Sequence, residues 1–141
     1  MSEAHVVTGA FGYTGKYITW LLLEARDDVR TLTGHPDRPS PFSRPISASP
    51  FNFDNPAALA RTLEGADTLF NTYWIRFSRG EVTHERAVEN SRALIMAAED
   101  AGVQRIVHIS ITGASSSSHL PYFRGKGEVE EAVIGSRMSH A

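Results

Sequence analysis

Apolar residues recur along this chain with two different periods. Short apolar runs at 5–8, 29–33, 47–53, 68–72 and 105–111 have the length and β-branched content of strands. Between them the spacing changes to that of helices. Ile18, Leu22 and Ala25 recur at i, i+4 and i+7, predicting a helix that ends near Asp27. Asn55 followed by Pro56 reads as an N-cap with proline at the first helical position, Leu59 and Leu63 mark a buried face, and Gly65 closes that helix. A long helix is expected over 81–101, with Val88, Ser91, Ile95 and Ala98 on one face, and a last helix over 122–134. The stretch 34–50 holds five prolines, which predicts no long helix between the second and third strands. Residues 73–80 read as a loop.

Strand and helix alternate throughout, so the expected architecture is α/β: a three-layer arrangement about a parallel sheet with right-handed crossovers. The run 105–111 is almost continuously apolar, as a parallel strand covered on both faces should be.

Composition narrows this picture little. The chain has 141 residues, enough for one domain with a real core. A net charge of −2 without a Lys/Arg cluster argues against nucleic-acid binding. The absence of cysteine removes disulfides, thiolate metal sites and a cysteine nucleophile. The six histidines show no His-Glu-x-x-His or comparable spacing, so no metal site is expected. The first residues lack a signal-peptide pattern and no apolar run, 20–23 included, is long enough to span a bilayer, so no membrane association and a cytoplasmic location are expected. Ser115 to Ser118 form a low-complexity tract that reads as a flexible loop.

The chemistry concentrates just after the first strand. Val6-Val7-Thr8 lead into Gly9, and Gly12 and Gly15 follow at three-residue intervals before a helical pattern begins. A strand, a glycine turn and a helix N-terminus in that order can hold the pyrophosphate of a dinucleotide. Gly9 permits a tight turn, Gly12 lets the backbone approach phosphate, and Gly15 lets the helix lie close to the sheet. Phe11 and Tyr13 stand between these glycines and belong to the same candidate cradle. The expected strand order is then 3-2-1-4-5, with the ligand at the switch between the first and fourth strands.

The end of the second strand chooses between cofactors. An acid there would bind the ribose 2′-OH of NAD, and a base would accept a 2′-phosphate. The chain has Thr33-Gly34-His35, then Asp37 and Arg38. His35 or Arg38 can meet a 2′-phosphate, so NADP is the preferred expectation and NAD the alternative. Both residues also suit a plain solvated loop.

Thr8-Gly9-x-x-Gly12-x-x-Gly15 resembles the fingerprint of the extended or atypical branch of the short-chain dehydrogenase/reductase family, and the resemblance covers nearly the whole chain. It is nearest to the epimerase-like, NmrA-like and complex I accessory-subunit-like members. The resemblance implies an acid after the third strand, Asp54, at the adenine, and Asn71 and Thr72 at the adenine-ribose pocket. It also implies a structural role for Asn90 and makes 102–110 the approach to the active-site strand. Tyr122 and Lys126, four apart on one helix face, fall where the family keeps its catalytic pair. There the lysine would lower the phenol's pKa and hold the nicotinamide ribose, and the tyrosine would exchange a proton with substrate. The family's hydroxyl that polarises the substrate oxygen falls on Ser110 or Thr112, and the sequence leaves both open. Tyr73, Trp74 and Phe77 either border the substrate pocket or cover the sheet edge.

Members of this branch continue past the point where this chain stops. The chain therefore reads as an N-terminal, C-terminally truncated NAD(P)-binding domain of 141 residues without a substrate lobe, whose fifth strand lacks a neighbour and so favours a homodimer. The function expected is an NAD(P)-dependent oxidoreductase or epimerase-like reductase acting on an unidentified small molecule. The alternative is an NAD(P)H-binding sensor or accessory protein with little turnover.

Overall fold

The computed structural model describes residues 2–141. Along the chain lie β1 (Ala4–Thr8), α1 (Tyr13–Glu24), β2 (Asp28–Leu32), β3 (Ser47–Ser49), α2 (Pro56–Leu63), β4 (Thr68–Asn71), α3 (His84–Asp100), β5 (Arg105–His108), α4 (Pro121–Ile134) and β6 (Ser139–His140). The strands form one sheet in the order β3-β2-β1-β4-β5-β6, and every pairing is parallel. This is the expected three-layer Rossmann arrangement, extended by one strand.

The pleat sorts the layers. Neighbouring residues of a strand point to opposite faces. Val6 joins Leu59, Leu63, Leu69, Leu94, Ile106 and Val129 in the main core under α2, α3 and α4. Val7 joins Val29 and the inner side of α1, with Ile18, Leu22, Phe42 and Ile46 closing that face. As the prolines require, no helix forms between β2 and β3. The loop carrying Phe42 and Ile46 covers part of the sheet in its place.

Several elements are shorter than their apolar runs. β5 ends at His108; the Ile109 N–H still donates to Asn71 O (3.0 Å), and Ile109, Ser110 and Ile111 line a cleft. An apolar run cannot distinguish a paired strand from such a wall. The long helix begins at His84, because the Thr83 hydroxyl accepts the Arg86 N–H (3.0 Å) and fixes the N-cap there. The serine tract is a seated turn: Ser115 N–H donates to Phe123 O at 3.1 Å and Ser118 N–H to Ser115 O at 3.0 Å.

Contrary to expectation, β5 does have a neighbour, since Arg105 pairs with Ser139 and Ile106 with His140. His108 N–H also donates to Ala141 O (2.9 Å), and buried Met138 ties the segment to the main core. The edge argument for a homodimer therefore does not apply at β5. The edge on that side is the two-residue β6, and β3 is the other edge of the sheet.

At the amino ends of the strands, a charged cluster ties the layers. His5 Nε2 lies 3.1 Å from Asp27 and 3.7 Å from Glu3, and Glu3 accepts from Arg105 at 2.9 Å. The Glu3 backbone N–H and then His5 hold the Asp27 carboxyl below its usual range. These three acid and imidazole groups, which sequence spacing did not bring together, lie within 4.8 Å of one another. They sit at the opposite end of the sheet from the cleft described next.

Candidate functional site

The turn after β1 is set by steric demand. Gly9 adopts φ +69°, its N–H donates to Leu32 O (2.8 Å), and its carbonyl accepts the Gly12 N–H (2.9 Å). That carbonyl lies directly under α1. A Cβ on Gly15 would fall 2.0 Å from it, and one on Gly12 would fall 3.3 Å from it. Only glycine at 15 lets the helix start this close to the strand. Gly12 is the N-cap of α1, no side chain caps the helix, and its first turn holds no acid. The first-turn N–H groups therefore have no side-chain partner and present the positive end of the helix dipole.

Gly9, Gly12, Tyr13, Thr14 and Gly15 form one end of a cleft of about 580 Å³. Its walls continue through Thr33, Gly34 and His35 at the end of β2, Phe51 after β3, Thr72 to Arg76 after β4, and Ile109 to Ile111 after β5. Tyr122 and Lys126 of α4 close the other end. Where the strand order switches, the connections leaving β1 and β4 run to opposite faces of the sheet and leave a crevice at the strands' carboxyl ends, which is where this cleft lies.

Behind the wall is a buried hydrogen-bond chain. The Thr8 hydroxyl donates to Asn71 Oδ1 (2.9 Å) and accepts the Thr72 N–H (2.8 Å), while Thr72 Oγ1 donates to Thr8 O (2.5 Å). Asn71 Oδ1 also accepts the Tyr73 N–H at 3.1 Å. With two donors on that oxygen, Asn71 Nδ2 is the donor to His108 Nδ1 at 3.1 Å. His108 thus carries its proton on Nε2, an atom that is buried without a partner. Burial and the nearby Lys126 push the His108 pKa down to about 4. Asn71 is fully buried and acts as a latch joining β1, β4 and β5; Thr72 is the residue of this pair that reaches the cleft.

The α4 end is made of side chains. Lys126 is 4% exposed; its Nζ donates to Ile109 O (3.0 Å) and lies 5.1 Å from the centre of the Trp74 ring. Burial lowers its pKa to about 8. The Tyr122 ring meets Trp74 and His84 edge-to-face, at 6.2 and 5.7 Å between centres. Ser110 Oγ, Trp74 Nε1 and His84 Nε2 are all buried without a partner. Gly125 makes room for Trp74, whose ring a Cβ there would meet at 2.9 Å. Gly127 makes room for the serine turn, whose Ser115 and Ser116 backbone a Cβ would meet at 2.3 Å.

The cleft therefore unites Gly9, Gly12, Tyr13, Gly15, His35, Thr72, Ser110, Tyr122 and Lys126. Thr112 is exposed and lies outside the cleft lining, as do Asp54, Arg38 and half-buried Phe11, which meets Phe42 instead. Arg38 stands one turn beyond the rim, its N–H bonded to His35 O. Asn90 donates to the Tyr73 hydroxyl (3.0 Å), and burial raises the Tyr73 pKa. Sequence reasoning missed Phe51, which stacks with Phe53 (4.7 Å) and meets Tyr73 (5.2 Å) at the β3 end, and His84. An aromatic pair straddling Asn52 was the one available signal for the first.

A glycine turn under an uncapped helix, facing a buried lysine and a tyrosine across one cleft, is the arrangement of a dinucleotide-binding α/β protein. Residues 9–139 match the family described as NAD(P)H-binding, and the chain belongs to that family. Its fold is that of the short-chain dehydrogenase/reductase superfamily. A superfamily member from Agrobacterium tumefaciens with bound NAD superposes with a TM-score of 0.77 at 22% identity, covering 98% of this chain and 47% of that one. The triphenylmethane reductase of Citrobacter sp., complexed with NADP(H), gives 0.79 at 18% identity, covering 97% and 47%. Among curated proteins, the mitochondrial protein FMP52 of Coccidioides immitis is 32% identical over 99 residues, covering 68% of this chain and 40% of that protein. The chain thus spans under half the length of these relatives. The family defines an NAD(P)H-binding protein, and the structural neighbours define its fold. Among the described residues no helix is long and apolar enough to cross a membrane.

Proposed function

We propose that this chain is an NAD(P)H-dependent reductase domain with the pyrophosphate on the Gly9–Gly15 turn and the reacting centre beside Tyr122. The observation that carries this reading is the cradle itself: Gly15 lets α1 start against the Gly9 carbonyl, where a Cβ would fall 2.0 Å from that oxygen, and the first-turn N–H groups have no side-chain partner. When bound, NAD(P)H supplies a hydride. The residues of the chain supply the rest. Tyr122 donates its phenolic proton to the substrate oxygen. Lys126, held by the Ile109 carbonyl, keeps N–H donors free for ribose hydroxyls and places a positive charge one helical turn from that phenol. Ser110 is favoured over Thr112 as the polarising hydroxyl, because its buried Oγ lines the same cleft and has no other partner. His35 at the cleft rim favours NADP, since an imidazole N–H there can donate to a 2′-phosphate.

The test is titration with NADPH and NADH, followed by protein fluorescence. Binding of either, weakened at least about tenfold by Gly12→Val, supports the cradle, and binding unaffected by that change removes it. Tyr122→Phe separates the reductase from a sensor: a reductase loses turnover and keeps cofactor affinity, whereas a sensor has no turnover to lose. The FMP52 relatives' mitochondrial names make the mitochondrion, beside the expected cytoplasm, a compartment to examine by fractionation.

A further inference from the structure

A second groove, of about 700 Å³, adjoins the cleft. Tyr122 and Arg76 line both, so the tyrosine stands in their common wall. The groove floor is Phe77, Leu120, Pro121 and Phe123. Phe77 and Leu120 hold their apolar side chains largely in solvent, 76% and 49% exposed, which is costly without an occupant. Formal charge at the groove comes from one base, Arg76, and one acid, Glu85, which offset each other.

His84 completes the wall. Ser78 Oγ accepts the His84 backbone N–H at 3.2 Å and shares a hydrogen bond with His84 Nδ1 at 3.1 Å. The ring stacks 6.0 Å from Trp74. A nucleoside diphosphate needs several cationic or backbone N–H partners. This groove supplies one offset arginine and a largely aromatic wall.

We propose that the groove is the substrate site and that it takes a flat, uncharged, apolar carbonyl compound, such as an aromatic ketone or diketone. The proposal rests on the reductase reading above and names its substrate class. The carbonyl oxygen reaches Tyr122 from the groove side and takes its proton. The carbonyl carbon takes the hydride that bound NADPH would supply, giving an alcohol and NADP⁺, and the Tyr122 phenolate regains its proton from solvent. Apolar rings lie over Phe77, Leu120 and Phe123, with edge-to-face and stacked contacts available from each aromatic.

Equilibrium dialysis of 9,10-phenanthrenequinone and, separately, UDP-glucose tests this, using the whole chain with and without NADPH. The diketone is expected to bind and UDP-glucose to fail. Leu120→Lys and Phe77→Glu change exposed positions that the core does not use. Each is expected to raise the diketone Kd about tenfold or more, because each puts a charge where an apolar ring must lie, while the NADPH Kd stays within about twofold. Diketone affinity unchanged in both variants, or tighter binding of UDP-glucose, overturns the proposal. Loss of NADPH binding in the parent chain with the diketone result intact would instead remove the cofactor reading and leave the groove assignment standing.

Discussion

The two ends of the cleft are built from different materials. At the α1 end the working atoms are backbone: the Gly9 carbonyl, the Gly12 N-cap and the uncapped N–H groups of the first turn. At the α4 end they are side chains drawn from three segments, Trp74, Ser110, Tyr122 and Lys126. The first end is fixed by contacts that allow no play, since a methyl group on Gly15 would lie 2.0 Å from a backbone oxygen. The second end leaves Ser110 Oγ, Trp74 Nε1 and His84 Nε2 buried without partners. Each such group costs about 1–3 kcal/mol when nothing satisfies it. A pyrophosphate, the same in either cofactor, suits a rigid backbone cradle, whereas a variable reacting group suits side chains. The difference also predicts where substitutions act: steric changes at the first end remove the site, and changes at the second retune it.

The largest effect should come from Gly15→Ala. Its methyl group would meet the Gly9 carbonyl oxygen and carbon at 2.0 and 2.7 Å, both backbone atoms in a turn pinned to Leu32. We expect a loss of about 3 kcal/mol or more in urea unfolding, at the upper end of the usual cost of overpacking, together with loss of NADPH binding. A variant of parental stability would show that the turn can open, and the contrast between the two ends would fall.

The two glycines of α4 sharpen the contrast. Gly127→Ala meets the Ser115–Ser116 backbone at 2.3 Å, but that turn lies at the surface and can lift, so we expect about 2 kcal/mol. Gly125→Ala meets the far edge of the Trp74 ring at 2.9 and 3.0 Å and Val88 Cγ2 at 3.3 Å, all side-chain atoms that can shift; about 1 kcal/mol is expected. The distinguishing readout for Gly125→Ala is tryptophan fluorescence, because moving Trp74 disturbs its contacts with Lys126 and Tyr122. Equal stability losses at 125 and 127 would mean that the Trp74 ring yields no more readily than the serine-turn backbone.

This contrast also explains what could be read from the sequence. The glycine turn was legible because its constraint is local: Gly9, Gly12 and Gly15 must each lack a side chain for reasons contained within seven residues. The strand order followed from that turn together with the alternation of strands and helices. The α4 end depends on distant segments meeting. Nothing near Ser110 and Thr112 says which one faces inward; that is set by where the chain leaves β5 after His108. Asn71 looked like a pocket residue and is a buried latch, because its partners Thr8 and His108 come from the two neighbouring strands. β6 has no pattern at all: Ser139 and His140 are polar and exposed, and they pair through their backbone and the anchor of Met138. His84 was read as the interior of a helix, and it became a wall of the site only because Thr83 starts the helix beside it.

The smallest effects should appear as two pH slopes from the α4 end. His108 is held to a pKa of about 4 against an ordinary 6.5, so between these values the unfolded chain binds more protons than the folded one. Stability then rises with pH across that window and is lost as pH falls from 6.5 through about 4. Lys126 is held to about 8 against 10.5. Between 8 and 10.5 the unfolded lysine again holds the extra proton, so stability rises with pH there too. Because Lys126 keeps its Ile109 bond and borders an open cleft, its contribution should be about 1 kcal/mol, well short of what the whole shift would give. Lys126→Met should flatten the alkaline slope in urea titrations between about pH 8 and 10.5 while leaving the acid slope of His108 in place. Cofactor binding should oppose the alkaline gain, since ribose hydroxyls prefer the charged amine. NADPH would then protect the parent chain less at the alkaline end of that window than at neutral pH, and the Lys126→Met variant would lose that dependence. If the alkaline slope survives in Lys126→Met, the charge that titrates belongs elsewhere, and the side-chain end of the cleft is less strained than its unpartnered atoms indicate.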